Sequence, residues 1–194
     1  MQKAMVKYLV SGILFFSFLI IGCGGQDDSV KEAIKANERE DKPNDTLTAM
    51  NVVSEWDAKF MVEAASSTLT EAMAGKLAAD KASNTFVKAW GNKMHKKHLD
   101  IFSELKNLAS LKNVTLPESM GTAHKSQLEE LQEKQSGFDA NYISLLIDLH
   151  EEAIKKYQQA ANNAKSPEVK SFASKYLPEL RTHLDSARLL KDKL

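Results

Sequence analysis

The chain reads as all-α, a four-helix bundle, and three observations predict it. Apolar residues recur every three or four positions along several stretches of more than 20 residues. No run alternates apolar with polar residues as a half-buried strand would. Beyond residue 53 the prolines are Pro117, Pro167 and Pro178, so long stretches are free of helix breakers.

The first 22 residues have the three parts of an export signal. Lys3 and Lys7 give a positive start, Val10 to Ile21 an apolar region, and Gly22 a small residue. An apolar run of about a dozen residues is short of the roughly 20 that span a bilayer. Leu19, Ile20, Ile21 and Gly22 lead into Cys23, the sole cysteine, an arrangement that resembles a bacterial lipobox. Cys23 is therefore expected to be the lipidated N-terminus of the mature chain. Stable anchoring takes more than one acyl chain, and mature bacterial lipoproteins usually carry several. The membrane is thus an expected partner through the anchor. Gly24 stands where aspartate often signals inner-membrane retention, which points to the outer membrane, facing the periplasm.

Removing residues 1–22 leaves 24 basic and 26 acidic side chains. That balance gives no concentrated basic face and speaks against nucleic-acid binding. With one cysteine, a disulfide within the chain and a thiolate metal cluster are excluded.

Residues 23–53 are polar and charged, with the run Glu38, Arg39, Glu40, Asp41, Lys42 before Pro43. Too little apolar surface is present to offset ordering entropy. The segment is expected to be a flexible tether, with transient helix around Val30 to Asn37. Residues 54–194 form the folded domain.

Ser54 and Asp57 make a capping box that opens the first long helix, which runs to about Ala79. Its many small residues blur its apolar face, so the directions of Glu63 and Glu71 are not legible. Ser83 is expected to cap the second helix, whose stripe is Val87, Trp90, Met94, His98, Ile101, Leu105 and Leu108. A short polar helix over about Glu118 to Gln135 lies between the second and third long helices. Asp139 is expected to cap the third, with Ile143, Ile147, His150, Ile154 and Tyr157 on its stripe. Ser166 and Pro167 stand at N-cap and N1 of the fourth, with Val169, Ala173, Tyr176, Leu180, His183 and Ala187. Residues 112–138 could cross the bundle, as in ferritin-like folds, or cap one end.

The order and spacing of several pieces between Asp57 and Lys191 resemble the bacterial domain-of-unknown-function 4142 family. They are Glu71 followed by small and apolar residues to Leu77, Ala78 and Ala79; Met94 with His98; Gly137, Phe138 and Asp139 with Tyr142; Asp148 with His150; and Phe172, Ala173, Leu177, Pro178, Leu180 and His183. The resemblance implies an exported protein with a ferritin-like helical bundle and implies no activity. One departure is Lys97, where the family usually has an acidic residue before the histidine.

His98, His150 and His183 fall on the apolar stripes of three different helices. Imidazole binds zinc, copper, nickel and iron, so three converging rings could hold one transition-metal ion, with Glu63 or Glu71 as an additional ligand. The competing reading makes them core residues that donate to carbonyls or carboxylates, with no cofactor required. Counted from their nearest turns, the three lie about 22 to 27 Å along the helices. Turns at the same end would put all three at one level with Glu63; turns at opposite ends are expected to displace His98. His95, flanked by lysines, reads as a surface residue, and His124 has no evident partner.

No catalytic residue is identified. A di-iron carboxylate centre needs a glutamate three residues before a histidine on two helices, and His95, Ile147 and Leu180 hold those positions. Hydrolase elbows and phosphate loops are lacking as well. The leading expectation is a non-enzymatic binding or structural domain in the cell envelope, whose partners are envelope proteins or copies of itself. Metal or cofactor binding through the core histidines is the alternative.

Overall fold

The computed structural model describes residues 28–38 and 53–194. Six helices are formed among them, and no strand: α1 (Ser29–Asn37), α2 (Glu55–Lys81), α3 (Thr85–Leu111), α4 (Thr122–Glu133), α5 (Phe138–Asn163) and α6 (Pro167–Lys191). The expected export signal, Cys23 and residues 24–27 and 39–52 of the expected tether lie outside the described residues.

The four long helices pair as two antiparallel hairpins, α2 with α3 and α5 with α6. Ser54 accepts from Asp57 N and Ser166 from Val169 N, so both N-caps form, but the Asp57 carboxylate turns away from Ser54 and the expected capping box stays half made. Two others differ. Asn84, not Ser83, caps α3, because its side chain reaches the amides of both Phe86 and Val87. Gly137, in the left-handed region at φ 65°, precedes α5, and Asp139 does not cap its own helix.

The Asp139 carboxylate instead accepts from Ser83 N and Asn84 N, at 3.0 and 2.7 Å, and closes the α2/α3 turn. Asp57 does the same for the other hairpin, accepting from Lys165 N and Ser166 N at 3.1 and 2.8 Å. Each hairpin's first helix thus binds the turn of the other. This reciprocity puts the two turns at opposite ends and makes residues 112–137 a true crossover. Lys112 pairs with Glu168 at one end (2.7 Å), and Lys81 donates to Gln132 O at the other (2.6 Å). Midway, the Ser66 hydroxyl accepts from Gly121 N and contacts His124 Nδ1 at 2.8 Å. His124 therefore has a partner that the sequence did not reveal, and it docks α4 onto α2.

Helix α1 replaces part of the expected tether. Asn37 makes a pair of hydrogen bonds with the backbone of Thr115, donating to its carbonyl at 2.8 Å and accepting from its amide at 2.9 Å. Ser29 donates to Ser119 O, and Ala33 is buried. These long-range contacts offset the ordering entropy that composition alone left uncompensated.

Helix α2 touches α1, α3, α4 and α5, which explains why no residue from Phe60 to Ala72 is exposed. Its small residues let α3 approach closely. A Cβ on Gly75 would stand 2.6 Å from His95 N and 2.8 Å from Gly91 O. His95, expected on the surface, is instead half-buried and donates from Nδ1 to Ala72 O at 2.9 Å.

Two apolar clusters fill the interior. One gathers Phe60, Met61, Leu105, Tyr157, Phe172 and Leu180; the other gathers Ala78, Val87, Met94, Tyr142, Leu146 and Leu184. Between them lies a polar layer.

Gly75→Ala tests the close approach. Helix propensity alone would favour alanine by about 1 kcal/mol. The new methyl meets backbone atoms that cannot turn away, so overpacking wins and a net loss of about 1 to 2 kcal/mol is expected in urea unfolding.

Candidate metal centre

Each long helix sends one side chain into that layer: Glu71 from α2, His98 from α3, His150 from α5 and His183 from α6. All four are buried, with at most 2% of their surface exposed. The ring centroids of the histidines stand 5.2 to 5.4 Å apart. One nitrogen of each comes within 4.8 Å of the other two. Nitrogens bound to one zinc ion at about 2.1 Å are about 3.4 Å apart, so small side-chain shifts would close the set around an ion.

His98 reaches this layer although the turns lie at opposite ends, which corrects the expected displacement. The count from the nearest turn was the wrong ruler: His98 and His150 both lie near mid-helix, and a mid-helix residue keeps its level whichever way its helix runs. The same geometry selects Glu71 over Glu63. Glu63 lies farther along α2, partly exposed, pairing with Lys156 at 3.4 Å and Lys59 at 3.9 Å. A sequence signal for Glu71 existed, because it stands about 12 residues before the α2/α3 turn and His98 about 14 after it.

Glu71 serves two rings. Its Oε2 lies 3.1 Å from His98 Nδ1, and its Oε1 lies 3.2 Å from His150 Nδ1. Neither contact has hydrogen-bond alignment, so both are close polar contacts rather than hydrogen bonds. His150 Nδ1 donates to Leu146 O at 2.9 Å, which leaves Nε2 with the lone pair. His183 Nε2 faces Glu179 Oε1 at 3.7 Å, and Glu179 is held by Lys97 at 3.3 Å.

Several polar atoms of the layer remain without hydrogen-bond partners: both nitrogens of His98, His150 Nε2, His183 Nδ1 and Glu71 Oε1. Buried polar groups are nearly always satisfied. Pro178 leaves the carbonyl of Ser174 without its helical donor, but α6 continues through it and Ser174 is exposed, so the proline places no demand on this layer.

Electrostatics suit a cation. Burial alone would raise the Glu71 carboxyl, but the imidazoles of His98 and His150 outweigh it and hold it at about 2. Burial pushes His183 down to about 3, helped by the neighbouring His98 and His150. Burial also lowers His150, against the pull of Glu71. At neutral pH the layer therefore carries an ionised carboxylate beside neutral His150 and His183, whose nitrogens are free to coordinate.

These shifts set an acid sensitivity for the metal-free domain. Between the ordinary histidine value of 6.5 and about 3, the unfolded chain takes up a proton that His183 refuses in the fold. Between 4.5 and about 2 the same holds for Glu71. Both terms act with one sign: stability is present above these windows and lost as pH falls through them. The urea midpoint should drop steadily on acidification below 6.5, and His183→Asn should flatten the upper part of that fall.

No curated protein matches the chain. Among solved structures, the crystal structure of a DUF305 fragment from Deinococcus radiodurans is similar. It has 10% identity and a TM-score of 0.66, and the alignment covers 74% of this chain and 99% of that one. A likeness at that identity speaks for the helical fold alone. The sequence over residues 42–190 matches the family described as Domain of unknown function (DUF4142), and the chain belongs to that family.

Proposed function

We propose that this chain is a metal-binding envelope lipoprotein whose domain, a ferritin-like four-helix bundle, holds one transition-metal ion through His98, His150 and His183, with Glu71 beside them. The observation that carries the reading is the set of unpartnered imidazole nitrogens in a single buried layer. Leaving such groups unsatisfied costs roughly 1 to 3 kcal/mol each, and one cation would engage all three rings together. The structural alternative, core histidines that donate to carbonyls or carboxylates, finds Leu146 O for His150 and places Glu71 3.1 Å from His98 and Glu179 3.7 Å from His183, yet it leaves one nitrogen of each ring without a partner. An all-nitrogen donor set suits zinc, copper, nickel or iron(II) better than calcium or magnesium. The function is binding or storage of the ion rather than di-iron oxidation, since the layer holds one carboxylate where such a centre draws on four.

The envelope setting rests on the export-like residues 1–22 and on Cys23, which would fix the domain to a membrane, with the outer membrane the favoured one.

The test is elemental analysis of the chain purified without chelators or a metal-binding tag, beside a His98→Ala, His150→Ala, His183→Ala variant shown to be folded by circular dichroism. About one ion per chain, lost in the variant, is the expected result. A folded wild-type protein that takes up neither zinc, copper nor iron would sink the reading. The anchor has its own test. Cys23→Ser should move the protein from the detergent phase to the aqueous phase in a detergent-partition experiment, and unchanged partitioning would remove lipidation from the account.

A further inference from the structure

The three rings show a common arrangement that deepens the metal-binding reading and rests on it. Glu71 contacts the Nδ1 atoms of His98 and His150, and Glu179 faces Nε2 of His183. Leu146 O accepts from His150 Nδ1 as well. The nitrogens at the other positions, His98 Nε2, His150 Nε2 and His183 Nδ1, have no hydrogen-bond partner, and His98 Nδ1 has only its unaligned contact with Glu71. A histidine that binds metal through one nitrogen almost always gives its other N–H to a carboxylate or carbonyl. Each of these rings has such an acceptor group near one nitrogen and nothing at the other. Among the described residues, the group whose ligand atoms converge consists of the three histidines alone.

From this arrangement we infer that the centre is an open three-nitrogen site, in which Glu71 is a shared positioning carboxylate rather than a ligand, and whose remaining coordination position takes a water-sized exogenous ligand, hydroxide or another small monoanion. Sites with four protein ligands are closed and structural, whereas three leave a position for an incoming molecule. A divalent ion with three neutral imidazoles and one carboxylate outside them keeps one unit of positive charge, which favours an anion in that position.

Burial sets the size limit. His98 and His150 are wholly buried and His183 is 2% exposed, so no organic substrate fits beside them. A surface pocket of about 370 Å³ lies nearby, with Trp90 in its wall. That indole stands edge-on to His183 at 6.0 Å between centroids. Lys93, 5.0 Å over the Trp90 ring, and Lys193 line the same pocket and draw small anions towards it.

The experiment loads the full mature chain with cobalt(II), whose visible spectrum reports coordination number, and titrates azide as the anion probe. A saturable spectral shift in the wild type is expected. Glu71→Gln, checked for folding by circular dichroism, should still bind cobalt, about 10 to 100-fold more weakly, and show the same azide-induced shift. His98→Ala should lose cobalt altogether. A cobalt-loaded wild type whose spectrum ignores azide up to molar concentration would overturn the open position while leaving metal binding intact. A folded Glu71→Gln protein that loses cobalt as fully as His98→Ala would make Glu71 a ligand and overturn its positioning role. Should that variant fail to fold, the wild-type azide titration decides alone. No cobalt uptake by the wild type would instead defeat the metal reading, and this inference with it.

Discussion

A carboxylate and three imidazoles sealed from water must be satisfied by one another or by something they hold in common. In this protein that demand falls on one layer, to which each long helix contributes one residue. Apolar packing lies on both sides of the layer. The layer does not tolerate sliding. An axial shift of one residue, about 1.5 Å, would separate Glu71 from the two rings it contacts at 3.1 and 3.2 Å and leave a charge buried without compensation, which is among the more costly defects a core can carry.

The rest of the architecture reads as a means of fixing that register. The glycine contact between α2 and α3 brings the two backbones together one helical turn from Glu71. Asp57 and Asp139 pin the ends, each with two amide hydrogen bonds. The crossover is docked by Ser66 and His124, so the connection follows the length of α2 closely. Side-chain geometry in the layer therefore depends on contacts far from it.

Much of the fold was legible in the sequence because it rests on local periodicity. The apolar stripes located the long helices, and Ser54 and Ser166 marked two helix starts through bonds that span three residues. The stripes also singled out His98, His150 and His183. What escaped was set by neighbours distant in sequence. Glu71 was ambiguous because α2 is covered by four other helices around its middle, where small residues blur the apolar face. Asp139 looked like a cap for its own helix and serves a turn more than 50 residues away. Asn37 gave no local sign of its pairing with Thr115, so α1 was expected only as transient helix within a tether. The level of His98 was misjudged because distance from a turn was used where distance from mid-helix mattered.

The two aspartate clasps bear on how the chain is divided. Neither hairpin contains the acceptor for its own turn: the amides of Ser83 and Asn84 wait for Asp139, and those of Lys165 and Ser166 wait for Asp57. A helical hairpin is often treated as a self-sufficient module that can be excised, duplicated or traded between proteins. Here each half is completed by its sibling, so the smallest heritable unit of this architecture is the pair.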